Sequence, residues 1–193
     1  MEADWEFEIG GDAPVIDACW PGFVDLRWRP NRDHQLQALV RGLPETAELP
    51  GLATTLEKLN SQSSPVWTSK CDFWPALESE DFDADELDAA IGQFAHAMGC
   101  YVDLLPKSDQ QWPFPHMIAA SCNYVCISLH AVPLRCCRVD LIIRRALIAP
   151  DLTDTGITAY FTACGPTSAE ASQTLEAALA AFVDALCPNP TLQ

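Results

Sequence analysis

The chain has 193 residues, of which 49% are hydrophobic and 20% charged, and its formal net charge at pH 7 is −16. Such a composition is typical of a globular protein with a sizeable core, and it excludes wholesale disorder. The 27 acidic residues against 11 Lys and Arg argue against nucleic acid as a direct partner, because phosphate binding needs clustered basic side chains. The same acidity favours attraction to a basic protein surface.

The sequence also contains features that bear on where the protein is located in the cell. No stretch reaches about 18 consecutive apolar residues, and the acidic segment 1–12 lacks the apolar core of a signal peptide. Nine scattered cysteines in such a chain are typical of reduced, buried thiols. We therefore expect a cytoplasmic protein without a membrane span.

The first thirty residues predict an antiparallel meander of three strands. Apolar residues alternate with acids from Trp5 to Ile9, which is the pattern of a half-buried strand. Residues 15–20 and 23–28 have strand composition too, and the Pro-Gly dipeptide between them is a strong turn signal.

The middle of the chain mixes helices with one strand. Capping residues and a terminal glycine predict a helix over 34–41, and a leucine stripe predicts another over 52–59. Between them, 43–50 reads as a Pro-punctuated linker. Residues 66–74 have strand composition, and an acid-rich start followed by an apolar stripe predicts a helix over 85–98.

The last third predicts a hairpin between two helices. A strand over 101–105 precedes 116–132, where a helical stripe competes with strand composition; we favour a helix. The β-prone run 134–148 and the segment 157–164 predict a hairpin. A capping-box pattern, Thr167 with a Glu three residues later, then begins a long Ala-rich helix.

These elements predict an α+β fold. We expect a mixed, largely antiparallel sheet with helices packed mainly on one face. A single compact domain over residues 1–193 is the leading prediction. The alternative is two halves, 1–75 and 76–193, each of ferredoxin-like form and sharing the sheet.

A recurring Val-Asp-Leu pattern suggests a polar side to this sheet. It occurs at 24–26, 102–104 and 139–141, and successive side chains of a strand point to opposite faces. If the strands share one sheet, polar side chains collect on one side while helices cover the other. We expect that side to carry the candidate ligand or partner residues Arg27, Lys70, Arg138, Asp140, Arg144 and Tyr160.

Three interpretations of that polar side stay open. It is a solvated outer face with cross-strand ion pairs, a recognition surface for a protein partner, or a site for a small anionic ligand held by Arg138 and Arg144. The six tryptophans, most of them on or beside predicted strands, favour a partner interface slightly. The ligand interpretation requires a pocket in which both guanidinium groups converge beside unpaired polar groups.

Two weaker patterns concern metals. Cys126 and His130 are four residues apart and would share one face of a helix, as zinc ligands or as a catalytic dyad. No Cys-x2-Cys pair supports them, so we expect no metal site. The acidic run 78–88 fails as a calcium loop, because Glu86 stands where glycine is needed and Gly92 where a bidentate glutamate belongs.

The sequence contains no nucleotide-binding, nucleophile-elbow or zinc-protease motif. We therefore expect no cofactor and a non-enzymatic protein-interaction module of the immunity, adaptor or accessory-subunit type. Its acidic surface would bind a protein partner, with a basic partner as the natural match. The alternative is an anionic-ligand-binding protein or an enzyme that uses the Arg- and Asp-rich side of the sheet.

Overall fold

The structure is a computed structural model that describes residues 1–18, 20, 22–30, 33–78, 81–90, 92–107, 118–149 and 152–187. Within these ranges the strands are β1 (Glu2–Glu8), β2 (Ile16–Asp17), β3 (Val66–Trp74), β4 (His96–Pro106), β5 (Cys137–Ala149) and β6 (Leu152–Gly165). The helices are α1 (Asp33–Arg41), α2 (Pro44–Glu48), α3 (Pro50–Leu59), α4 (Ile118–His130) and α5 (Ser168–Leu186).

One mixed sheet joins all the described strands. Its path runs β1-β5-β6-β4-β3, and the short β2 pairs with β5 beyond the end of β1. β1 and β2 run parallel to β5, whereas the other contacts are antiparallel. The predicted α+β class with a largely antiparallel sheet is confirmed. β1 and β3 lie at opposite edges of the sheet.

The helices cover one face of the sheet, as predicted. Alternate side chains of β4, β5 and β6 point to that face and pack with apolar residues of α3, α4 and α5 in the main core. At its centre Phe161 of β6 meets Phe182 of α5 edge to face, with ring centroids 5.2 Å apart. Both rings are buried.

The start of α5 shows why the local prediction there succeeds. The Thr167 hydroxyl accepts the Glu170 N–H, which is the N-cap bond that the predicted pattern requires, and it donates to the Glu170 carboxylate instead of leaving that carboxylate to the Thr167 N–H. Just before it, a Cβ at Gly165 would lie 2.7 Å from the Ala171 nitrogen. The strand-to-helix turn is therefore tight enough to require glycine.

Most other local predictions are confirmed. The helices expected over 34–41 and 52–59 are α1 and α3, the strand over 66–74 is β3, and the ambiguous segment 116–132 contains the helix α4. The predicted linker 43–50 includes the one-turn helix α2. Pro21 of the predicted turn and residues 116–117 lie outside the described residues.

The predicted antiparallel meander is wrong. β1 pairs in parallel with β5, the second strand is reduced to the two residues of β2, and residues 23–28 belong to no strand. Alternating apolar and acidic residues mark a strand with one covered face, but they do not name its neighbour. The neighbour of β1 is set by contacts with β5 and α4, which follow far along the chain.

The predicted helix over 85–98 is also wrong. Residues 84–88 form turns, and 96–98 already belong to β4, where they pair with β6. Leu87 is buried against Ala97 and Cys164 rather than on a helical stripe. Aspartates favour caps and turns over helix interiors, and the ladder with β6 gives the later residues a better set of hydrogen bonds.

The edge-to-face pair in the core predicts a large effect of truncation. We expect Phe182→Ala to lower the free energy of unfolding by about 3–5 kcal/mol, because it removes a buried ring and leaves a cavity. Urea denaturation followed by far-UV circular dichroism measures this. The matched control is Ile127→Ala on α4, where the side chain is 61% exposed, with an expected loss below about 0.5 kcal/mol. Equal losses in the two variants would contradict the placement of α5.

Candidate functional site

The sheet face opposite the helices carries the predicted polar side chains. Asp140 lies opposite Tyr160, Tyr160 opposite Tyr101, and Asp4 beside Asp140, so these side chains share one face. We name this surface the polar face. It comprises Glu2, Asp4, Glu6, Glu8, Asp72, Trp74, Tyr101, Asp103, Arg138, Asp140, Arg144, Thr158, Tyr160 and Thr162.

Apolar clusters bound the polar face at two ends. By strand alternation Leu105 and Ala146 also point to this side of the sheet, where Ile16 of β2 packs on them. At the other end Leu87 packs on Ala97, with Cys164 beside it. The polar face is therefore a strip of sheet between two segments that fold over it.

Arg144 of β5 is the most connected side chain of the strip. Its Nε donates to the Glu8 carboxylate at 2.9 Å, and Nη1 donates to Thr158 Oγ1 at 3.2 Å and to the Tyr160 hydroxyl oxygen at 3.1 Å. The guanidinium carbon lies 5.5 Å from the centroid of the Tyr160 ring. The Thr158 hydroxyl in turn donates to Asp103 Oδ1 at 2.6 Å. These contacts join β1, β5, β6 and β4.

Asp103 is a nearly buried carboxyl, with 7% of the residue exposed. Burial raises the pKa of Asp103, although the Thr158 hydrogen bond and the charges of Arg144 and Lys70 oppose the rise. A protein can hold such a carboxyl when it has a hydrogen-bond donor and nearby cations. The network around Arg144 provides both.

Arg138 has its own carboxylate partners. Its Nε donates to Asp140 Oδ1 at 2.8 Å, and its Nη1 lies 3.6 Å from Glu86. Burial raises the pKa of Asp140, while the Arg138 hydrogen bond and charge act in the opposite direction. Both arginines of the strip are therefore paired with carboxylates, and the ligand interpretation had required unpaired groups.

Two further residues of the predicted site, Lys70 and Arg27, lie apart from Arg138 and Arg144. Lys70 is exposed on β3 beside a bulge, close enough for its charge to act on Asp103. Arg27 lies on no strand; it donates to both oxygens of Asp25 and sits 5.0 Å above the Trp67 ring. The structure brings together on neighbouring strands Arg138, Asp140, Arg144 and Tyr160.

The acids of β1 were missed in the sequence. Glu2, Asp4, Glu6 and Glu8 extend along the side of β1 that faces the strip, and Glu8 lies beside Arg144 in the register. Only Glu8 forms an ion pair; within the described residues the other three have no cation at salt-bridge distance. We name Glu2, Asp4 and Glu6 the acidic row. The sequence shows that these acids alternate with apolar residues, but it does not show that β5 is the neighbouring strand.

Three aromatic rings cross the middle of the strip. The Trp74 and Tyr101 centroids are 5.7 Å apart, and the Tyr101 and Tyr160 centroids are also 5.7 Å apart. Trp74 lies over Gly99 of β4, where an added Cβ would be 3.2 Å from the Trp74 ring. An aromatic side chain over a strand glycine restores apolar cover that the glycine lacks.

The two candidate metal residues differ in exposure. On α4 Cys126 is buried, whereas His130 is exposed. Burial, together with the charges of Asp4 and Asp140, raises the pKa of Cys126 to about 11, which disfavours the thiolate needed for metal binding or nucleophilic attack. Among the described residues, no cluster of three His, Cys, Asp or Glu side chains is placed to hold a metal ion.

Comparisons of the chain with protein-family models, curated proteins and solved structures found no match. No described helix combines the length and the apolar character needed to cross a bilayer. The function has therefore to be argued from the geometry of the polar face.

Removal of the Arg144 side chain tests the network. We expect Arg144→Ala to lower the free energy of unfolding by about 2 kcal/mol, because Tyr160, Thr158 and Glu8 lose charge-assisted hydrogen bonds. The control is Arg135→Ala: Arg135 pairs with Asp88 in solvent, so its unfolding midpoint in urea should stay close to that of the parent. A parent-like midpoint for Arg144→Ala would contradict the network.

The pKa of Asp103 predicts a pH dependence with a defined sign. An acid whose pKa is raised in the folded state binds more protons in the folded than in the unfolded protein. The free energy of unfolding of the parent therefore falls as the pH rises from about 3.8 through the pKa of Asp103 in the folded state. Asp103→Asn removes that loss, so its stability relative to the parent should increase over this range. Urea titrations at several pH values measure the difference.

Asp25 provides a control of opposite sign. Burial would raise its pKa, but hydrogen bonds from Arg27 and the charges of Arg27 and Arg29 hold it below the ordinary value. The parent therefore keeps this stabilisation above pH 3.8 and loses it as the pH falls through the lowered value. Asp25→Asn should become less stable than the parent as the pH rises. The same trend in both variants would refute the assignment.

Proposed function

We propose that the chain is a cytoplasmic, non-enzymatic protein-interaction module that binds a basic segment of a partner protein at the acidic side of the polar face. The observation that carries the proposal is the distribution of charge. Arg138 and Arg144 are paired with the protein's own carboxylates, whereas the acidic row has no cation at salt-bridge distance within the described residues. The face therefore presents negative charge outward.

Exposed carboxylates without partners create a negative potential that attracts basic surfaces. Such a potential raises the association rate and helps to select the partner. Glu2, Asp4 and Glu6 are all exposed, so a Lys or Arg side chain reaches them without displacing an ion pair among the described residues; Asp4 also accepts the Trp5 N–H. The chain's net charge of −16 acts in the same direction.

The same pairing weighs against the anionic-ligand or enzyme alternative. A phosphate or carboxylate bound at Arg138 or Arg144 would compete with Asp140 or Glu8 for the guanidinium. An open depression of about 820 Å³ lies elsewhere, between α1 and α3, and its lining includes both Glu57 and Lys58. Its mixed charge does not select an anion.

Immunity proteins, adaptors and accessory subunits would all use an acidic recognition surface in the same way. The identity of the partner decides among them. Affinity capture on the immobilised chain at low salt, followed by purification of the captured protein, identifies that partner. Calorimetric titration of the purified pair then measures the affinity directly.

We expect the affinity for the purified partner to fall steeply as salt is raised, because exposed charges are screened. The variant Glu2→Gln/Asp4→Asn/Glu6→Gln should weaken it by about tenfold, from losses of a few tenths of a kcal/mol or more per charge. The control Glu45→Gln/Glu48→Gln/Glu57→Gln changes the net charge equally on α2 and α3 and should bind like the parent. Equal losses in both variants, or binding that is insensitive to salt, would refute the proposal.

A further inference from the structure

β1 has an open edge. β5 lies on one side of it, and no described strand lies on the other. The Trp5 N–H donates to the Asp4 carboxylate at 2.7 Å in an exposed position. An amide engaged with β5 would be shielded from solvent, so the Trp5 amide faces the open edge. By the alternation of a strand the Phe7 amide faces the same way, whereas Ala3 is buried, with 8% of the residue exposed. An added strand would pair with the Phe7 amide and take over the Trp5 amide from Asp4.

The two sides of β1 differ in chemistry. One side carries the acidic row on the polar face. On the other side the rings of Trp5 and Phe7 meet edge to face, with centroids 5.6 Å apart. Phe7 is 53% exposed, and Ile9, just beyond the strand, is also 53% exposed. The edge therefore offers acids on one side and apolar surface on the other, in alternation.

We propose that β1 is the docking edge for an extended segment of the partner in which Lys or Arg alternates with apolar residues. The inference rests on the proposed function and narrows it to a mode of binding. Side chains of an added strand lie beside the same-face residues of its neighbour. The basic residues would lie along the acidic row and the apolar residues along Trp5 and Phe7, while the backbones pair.

Charge complementarity selects this occupant over a second copy of the chain. Pairing of two β1 edges across a two-fold axis normal to the sheet would bring two acidic rows together on one face, and like charges opposite each other are destabilising. Charged residues on an edge strand are also a common protection against self-association. The same acids that oppose a second copy therefore favour a basic strand.

Two synthetic peptides of equal composition test the mode of binding. In one, Lys alternates with Val over a length that spans β1; in the other, the lysines are grouped at one end. Calorimetry with the whole chain at low salt measures both affinities. We expect the alternating peptide to bind at least about tenfold more tightly, because only it matches both sides of β1. Methylation of its backbone amides that face β1 should abolish the difference.

Variants of the edge provide a second measurement. Phe7→Pro removes the edge-facing N–H of residue 7, and an edge strand tolerates proline at such a position. Phe7→Ala keeps that N–H. Both variants lose the Phe7 ring, so Phe7→Ala should weaken the preference for the alternating peptide in part, whereas Phe7→Pro should abolish it. The urea midpoint of each variant shows whether it is folded, and the methylated peptide provides the same test on the unaltered chain.

The outcomes separate the two proposals. Equal, salt-sensitive binding of both peptides that is weakened by the triple neutralisation of the acidic row overturns strand addition and leaves the acidic recognition surface in place. No binding of either peptide at low salt, or binding that the triple variant leaves unchanged, overturns both. Preferential binding of the alternating peptide that is lost on methylation supports strand addition.

Discussion

The ion pair between Glu8 and Arg144 is the interaction on which the polar face depends. Only 13% of the Arg144 side chain is exposed, and a charge so far removed from water is costly without a partner. Glu8 of β1 is that partner, and the hydroxyl oxygens of Thr158 and Tyr160 accept further hydrogen bonds from Arg144. The pair thus fixes an edge strand whose parallel ladder covers few residues, and it brings the acids of β1 to the strip.

The strip neutralises its cations internally. Arg144 and Lys70 offset the charge of the nearly buried Asp103, and Arg138 is held by Asp140 and Glu86. These pairs satisfy polar groups that a packed sheet would otherwise leave unpaired. The consequence is that Arg138 and Arg144 are engaged within the fold, while Glu2, Asp4 and Glu6 have no cation at salt-bridge distance among the described residues.

Local periodicity predicted the elements whose stability is decided by sequence neighbours. The cap of α5 follows from the spacing of Thr167 and Glu170 alone. The shared face of Arg138, Asp140 and Tyr160 follows from strand alternation, because the β5–β6 hairpin has a short connection that sets its register. The pairing of β1 with β5 did not follow, since a parallel neighbour far along the chain leaves no local signal. Arg27 was misplaced because strand composition does not show whether a segment finds a neighbour: residues 23–28 belong to no strand.

The edge of β1 joins these points. An exposed strand edge with aromatic residues is a hazard unless something prevents self-pairing, and here the acidic row does so. The row opposes only partners that carry negative charge, so the protection is selective rather than general. In the proposed strand addition, a strand with alternating basic residues meets no such barrier, and it contacts both backbone groups and apolar surface on β1. Under that proposal, the charge pattern that opposes self-pairing of the edge also selects the strand that pairs with it.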